Sequence, residues 1–442
     1  MSKKSFSRRN FMKSAALGAA AAGSLSLSRS AHGADGGPLK IGLIGCGGRG
    51  RGAAVNTLTA AEQVGVDVEL VAVGDAFPEN AAGAVEGLKT AFEDRVTVTP
   101  ETTFDGLECY KQIIPMCDIV LLCETPGFRP ISLAAAVEAG KHVFCEKPVA
   151  IDAPGILAVL ASTGIAKDKN TNLVSGLCWR YDTNVKDMMQ RVCDGAIGDI
   201  VSSRLTYLTS RLWTRPRKEN DTEMMFQVRN WYNFAWLSGD FNIEQHVHTL
   251  DKALWAMGNR PPVAAFGLGA RMQRVEQPAY GDIYDSMAVA FEYPNGVTHY
   301  SYCRQQDGCW GENEAIFAGT KGTARILGGS EIKDYKGNTI YKQEKKPSDM
   351  YTLEHVAMYE AIKSGTPINN GEYMAYSTMM GILGREVCYS GARITWDEAL
   401  QGGAVRPAAY NWETNPPAMP DDQGRYHIHV PGEGLEYHQV TR

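Results

Sequence analysis

NIEQHVHTLD, residues 242–251, places two histidines, a glutamate and an aspartate within ten positions. Glu244, His248 and Asp251 stand at i, i+4 and i+7, so on a helix they share one face. Ile243, Val247, Leu250 and Leu254 form a parallel apolar stripe, and the two stripes together predict one amphipathic helix between Asp240 and Gly258. A histidine with carboxylates one turn away on either side suits removal of a hydroxyl proton, because imidazole exchanges protons near neutral pH. A second chemistry is open, since Glu244, His246 and His248 are all metal-ligand types. No conventional zinc spacing accompanies them, and His246 falls roughly 160–200° round the helix from the other two. No metal is therefore expected, and His246 is read as either a substrate contact or a buried polar residue.

A polar helix face needs something to work on, and the first half of the chain supplies it. LKIGLIGCGGRGRGA (39–53) reads as a buried strand entering Gly45-Cys46-Gly47-Gly48-Arg49-Gly50 and then a helix of small residues. In that context Gly45 allows the tight turn, Gly47 lets the backbone approach a diphosphate, and Gly50 lets helix pack on strand. The helix N-terminus offers N–H groups and a positive dipole end to phosphate. A second strand, VELVAVGD (68–75), ends in Asp75, where an acid meets the ribose hydroxyls of a dinucleotide. Ala76 and Phe77 follow, with no Arg or Lys for a 2′-phosphate, so NAD is favoured over NADP. The rhythm continues through CDIVLLCETP (117–126), LAAAVEAG (133–140) and KHVFCEKPVA (141–150), with VSGLCWRYD (174–182) as a sixth strand. Doubly wound sheets bind ligands at the carboxyl ends of their strands, so Glu124, Thr125 and Pro126, and Glu146, Lys147 and Pro148, are expected beside the nicotinamide. Trp179 and Arg180 either border the ligand or pack.

These strings, in this order, resemble the Gfo/Idh/MocA family (glucose–fructose oxidoreductase, inositol dehydrogenase and relatives) from about residue 39 to 400. GCGGRG, Asp75, AGKHVFCEKP, the WRY stretch and the Glu244, His248, Asp251 pattern carry the likeness. It implies an α/β fold: an N-terminal Rossmann domain and a C-terminal α/β domain with an open, mostly antiparallel sheet. It also implies hydride transfer between NAD(P) and the carbinol carbon of a sugar or cyclitol, a homo-oligomer, and Lys147, His248 and Glu244 as the catalytic group. In that reading Glu244 polarises His248, Asp251 orients it, and Lys147 shares the substrate proton; Lys147, Arg180, His246 and His248 are the candidate substrate contacts. Glu244 stands where the family usually has Asp, and Arg129 where a histidine often follows the TP turn.

The second half agrees directly with a sheet domain. GDIYDSMAVAFEY (281–293) and VTHYSYC (297–303), joined by Pro-Asn-Gly, read as a hairpin in which Tyr300 and Tyr302 share a face. Residues 200–208, 263–270, 315–320 and 323–327 are further strands. The organisation expected is an export signal over 1–34, a nucleotide domain over 35–160 with a return segment at 170–182, a substrate and oligomerisation domain over 183–400, and a surface arm over 401–442.

Composition narrows the setting. A net charge of −6 and no basic run past the N-terminus argue against nucleic acid as a partner. SRRNFMK (7–13), followed by AALGAAAAG and a Ser/Ala-rich stretch, is a twin-arginine pattern, implying the corresponding export machinery and a periplasmic or otherwise exported product. Nothing later is apolar for the ~18 residues of a membrane span. The ten cysteines show no CxxC pair and are expected as free, mostly buried thiols.

Outside the cytoplasm no nicotinamide pool exchanges with the enzyme, so the reading favours NAD held tightly and recycled within each turnover. Alternatives are an NAD-dependent glycoside hydrolase working by transient oxidation and elimination, and a non-catalytic sugar-binding protein on the same scaffold.

Overall fold

The computed structural model describes residues 36–275 and 278–433. The twin-arginine stretch lies outside the described residues. Two sheets dominate, the first six-stranded in the order β3-β2-β1-β4-β5-β6 and the second nine-stranded.

In the first sheet every pairing is parallel. Its strands are β1 (Leu39–Ile44), β2 (Val68–Asp75), β3 (Thr103–Asp105), β4 (Ile119–Leu122), β5 (His142–Cys145) and β6 (Leu173–Ser175). Chain order reverses between β1 and β4, which opens a crevice at their carboxyl ends. Helices α1 (Gly48–Val64), α2 (Pro78–Ala91), α3 (Arg129–Glu138) and α4 (Ala153–Asp168) make the crossovers. The strands are buried nearly throughout, as sheets covered on both faces require. The strand expected over 174–182 stops at Ser175. A tight turn at Cys178–Arg180 follows, leading into α5 (Thr183–Cys193), whose N-cap Asp182 accepts from the amides of Asn184 and Val185.

The second sheet runs β14-β13-β12-β11-β7-β10-β9-β8-β15 and is antiparallel except where β10 lies parallel to β7. Its centre is β7 (Ile200–Thr209), with α6 (Glu223–Arg229), α7 (Phe241–Glu244) and α8 (Val247–Ala256) following it. Next come β8 (Ala264–Ala270), β9 (Ser286–Glu292), β10 (Thr298–Gln305), β11 (Glu312–Gly319), β12 (Gly322–Ile326), β13 (Glu331–Asp334) and β14 (Thr339–Lys342). The hairpin expected at Pro294-Asn295-Gly296 forms, with Asn295 at φ 63° and Thr298 opposite Glu292.

One helix was expected over 240–258, and two are present. The first ends at Glu244, and His246 becomes the N-cap of the second. Asp240, at φ 78°, enters the pair with its carboxylate on the Phe241 and Tyr284 amides and the Tyr389 hydroxyl.

Beyond the second sheet the chain turns back. Helix α9 (Met350–Ser364) lies along α1 and places Met358, Tyr359 and Ile362 in the first domain's core. Each such side chain, fully buried, contributes about 1.5–3 kcal/mol. The Tyr359 hydroxyl meets the Thr57 hydroxyl at 2.8 Å. Helix α10 (Gly371–Ser390) then packs against α4, α8 and β8, and β15 (Ile394–Thr395) closes the sheet edge. Residues 401–433 run as an arm without regular secondary structure. All ten cysteines are free thiols, most of them buried. Among the described residues no helix is long and apolar enough to cross a membrane.

Candidate active site

A cleft of about 920 Å³ opens at the carboxyl ends of the first sheet, bounded on the far side by the second domain. Its floor is the glycine turn. Gly45, at φ 91°, sits so close to the next strand that a Cβ would fall 2.4 Å from the Glu124 amide nitrogen. At Gly50 a Cβ would fall 1.8 Å from the Gly45 carbonyl oxygen, so helix and turn touch there. Gly47 and Gly48 are different: a Cβ on either meets nothing within 4 Å, because both line open cleft. Helix α1 begins at this point with Gly47 as its N-cap and no side-chain cap on its first amides. A bare helix N-terminus beside an open glycine backbone fits a diphosphate. Cys46 contributes its amide rather than its thiol, donating to Asp75 at 2.7 Å.

Asp75 ends β2 in the cleft wall. Its second oxygen accepts from the Phe77 amide at 3.0 Å and the Asn80 side chain at 2.9 Å, so the carboxylate is fixed in position. Thr125, Pro126 and Glu146 line the cleft as expected from the strand ends. Arg49 reaches across the crevice, with Nε on Glu146 Oε1 at 2.5 Å and Nη2 3.7 Å from Glu354 of α9. Glu354 is wholly buried, and burial, then Glu146, push its carboxyl well above the usual range. The pair Arg49 and Glu146 thus ties the glycine turn to the EKP turn, with the buried Glu354 carboxyl behind it.

Lys147 and Glu244 meet at the other end. The ammonium donates to the Glu244 carbonyl at 2.6 Å and to its Oε1 at 3.0 Å, and each side chain is 15% exposed. Arg129, buried at the start of α3, donates to the carbonyls of Pro148 and Glu124 and so braces the EKP turn from below. His248 is 9% exposed and lines the same cleft. Burial first, then Lys147 and Lys252, hold its imidazole well below the usual pKa, so the ring is neutral. Glu244 was expected on His248; its observed partner is Lys147, because the helix breaks after Glu244 and the carboxylate swings toward the EKP turn.

Three sequence candidates lie elsewhere. His246 is fully buried, bonded through Nε2 to Ser301 of β10 at 2.7 Å, and is a core polar residue rather than a substrate contact. Arg180 grips Asp251 through Nε and Nη2 at 2.8–2.9 Å, donates to Asn259 at 2.8 Å and stacks 3.8 Å over the Tyr373 ring. It belongs to an internal clamp, neither cofactor wall nor substrate contact, and Asp251 serves that clamp instead of His248. Trp179, beneath Lys252 at 4.8 Å, packs against the core and does not line the cleft. Among the described residues no three His, Cys, Asp or Glu side chains gather as metal ligands do.

The structure also brings in residues that no local pattern places. Trp213 and Trp231, edge to face at 5.8 Å, wall the cleft from the second domain. Tyr351 of α9 and Tyr410 of the arm wall it from the chain's last third. Aromatic side chains among polar loops were the available signal, but nothing local says which of them face a ligand.

Two family models match, one described as an oxidoreductase family with an NAD-binding Rossmann fold over residues 39–167, the other as the GFO/IDH/MocA C-terminal domain over residues 185–325. The chain is similar to inositol 2-dehydrogenase of Rhizobium meliloti, 26% identical over 260 residues, 58% of this chain and 66% of that enzyme. It is also similar to myo-inositol 2-dehydrogenase of Thermotoga maritima, 24% identical over 57% of this chain and 72% of that one. Among solved structures, a levoglucosan dehydrogenase complexed with NADH and levoglucosan shares the fold at a TM-score of 0.62, with 19% identity over 81% of this chain and 99% of that chain.

Proposed function

The chain belongs to the GFO/IDH/MocA oxidoreductase family, its two domain models together matching more than half the sequence, and from that premise we propose that it oxidises the CH–OH group of a sugar, glycoside or cyclitol with a resident NAD. The observation that carries this is Lys147 beside Glu244, with neutral His248, at one end of a cleft whose other end is a glycine turn and Asp75. Bound nicotinamide supplies the hydride acceptor. The chain's own residues handle the proton. Two of the three N–H bonds of Lys147 are on Glu244, which leaves one for the substrate oxygen, and neutral His248 has the lone pair to receive the hydroxyl proton.

NAD rather than NADP is supported by the negative charge at this corner. Asp75 lines the cleft at the end of β2, and two of the cations that line it, Lys218 and Arg229, are already paired with Glu79 at 3.0 and 3.1 Å. The twin-arginine pattern at residues 7–13, read as an export signal, favours a nucleotide recycled within each turnover, and the open sheet favours assembly into a homo-oligomer. The curated relatives named inositol dehydrogenases support a polyhydroxylated ring as substrate.

The test is to denature purified protein and identify any released nucleotide by mass, then to follow deuterium from a panel of carbinol-labelled sugars and cyclitols into it. Label in the nicotinamide supports the proposal. Nucleotide present without label from any of them removes it, and release of an aglycone without net NADH moves the assignment to oxidation with elimination.

A further inference from the structure

The arm after residue 400 crosses the mouth of the cleft and is fixed on both banks. On the first domain, the Val405 amide donates to Asp152 at 3.0 Å and Arg406 pairs with the same carboxylate at 3.2 Å. Asp152 is the N-cap of α4 and nearly fully buried, so the anchor is rigid. Tyr410 then sets its ring edge on Phe128 at 5.4 Å, and Trp412 stacks on Phe77 at 5.4 Å and 25°. Phe77 stands two residues after Asp75 and lines the same cleft. On the second domain, the Trp412 carbonyl accepts from the Thr222 hydroxyl at 2.7 Å, and the Ala418 carbonyl accepts from Gln227. Tyr426 ends the crossing with its hydroxyl on Glu223 at 2.6 Å and its ring against Phe234 at 4.9 Å. Trp213, Arg215, Pro216 and Lys218 line the same cleft, and Lys218 pairs with Glu79 of α2 at 3.0 Å.

One further feature points inward. Tyr410 lines the cleft, and its hydroxyl is buried with no hydrogen-bond partner among the described residues. A buried hydroxyl without a partner carries a desolvation cost that a ligand would remove. We propose that residues 405–426 are a clasp that completes the dinucleotide site and retains the nucleotide through turnover, with Tyr410 hydrogen-bonding to it and Trp412 locking the arm over Phe77. The nucleotide then behaves as a prosthetic group. This rests on the reading that a nicotinamide dinucleotide occupies the cleft, and it gives the arm a task that the reaction itself does not require.

The experiment measures exchange of bound nucleotide against excess isotopically labelled NAD, with mass readout, in the full chain, in Trp412→Ala, in Tyr410→Phe and in a chain ending at residue 404. Loss of the stacked pair is expected to speed release by about tenfold, and the shortened chain by more. Should the shortened chain fail to fold, Trp412→Ala decides, with Trp412→Phe expected to restore slow exchange. A purely structural arm would lower the melting temperature of nucleotide-free protein and leave the exchange rate unchanged, which overturns the clasp. Equal, fast exchange in full chain and variants overturns it too. A full chain that takes up no nucleotide removes the cleft reading and the clasp with it, whereas tight binding with exchange indifferent to Trp412 removes the clasp alone.

Discussion

Lys147 Nζ donates to Glu244 twice, to the main-chain carbonyl at 2.6 Å and the carboxylate at 3.0 Å, across 97 positions of sequence. The contact joins the EKP turn of the nucleotide domain to the end of a helix in the second domain, so ammonium and carboxylate are placed by different halves of the chain. Lys147→Met and His248→Asn should each lower hydride transfer by about a hundredfold or more while leaving nucleotide bound. Glu244→Gln keeps the shape, removes the charge and should lower the rate by about tenfold. Single-turnover transfer of deuterium to bound nucleotide measures all three. Full activity in either of the first two would remove the proton-handling role assigned here.

Asp75 holds the glycine turn through the Cys46 amide and is itself held by Phe77 and Asn80. Asp75→Asn should weaken NAD binding by about tenfold, since hydrogen bonds to a charged group are worth about 1.5–3 kcal/mol, and should narrow the preference over NADP. Titration of nucleotide-free protein with both nucleotides checks this; an unchanged ratio would mean that selection lies elsewhere.

Arg180 and Asp251 form a buried, two-pronged ion pair, with the Tyr373 and Trp255 ring centroids 3.8 and 5.0 Å from the guanidinium. Asp251→Asn leaves a buried guanidinium without its counter-charge and should cost about 3–5 kcal/mol of stability. Urea unfolding of the nucleotide-free protein reads that loss. A stable Asp251→Asn variant with a lost catalytic rate would instead return Asp251 to the reaction.

His246 gives a pH signature. Burial, then Lys252, lower its pKa from 6.5 to about 3. Because the folded pKa is depressed, the unfolded chain takes up a proton below pH 6.5 that the folded chain refuses. The stability concerned is fully present above pH 6.5 and is lost progressively as pH falls toward 3, at about 1.4 kcal/mol per pH unit. His246→Gln should flatten the acid limb of stability against pH by that slope. Parallel limbs for wild type and variant would show that His246 is not held neutral.

The nucleotide domain was legible because its signals are local. Strand, glycine turn, helix and the acid ending the next strand all fall between residues 39 and 75, with Gly45 and Gly50 held against neighbouring backbone and Gly47 and Gly48 facing the open cleft. The second domain's hairpin was legible for the same reason. The helix over 240–258 was not, since its period continues through Gln245 and His246 while the chain does not: the His246 bond to Ser301, 55 positions away, accompanies the break. Arg180 was misplaced for a related reason, as its partner Asp251 is 71 positions off and no pattern near WRY announces it. Trp213, Tyr351 and Tyr410 enter the cleft by tertiary packing alone.

Helix α9 has a consequence for the order in which the protein can be made. Its Met358, Tyr359 and Ile362 pack against α1, yet they are encoded after eight of the nine strands of the second sheet. A nascent chain that has emerged only to residue 170 carries the nucleotide half with that surface bare. The apolar stripe stays open to solvent and to chaperones until residue 364 leaves the ribosome, so the first domain cannot finish folding when its six strands are complete at Ser175.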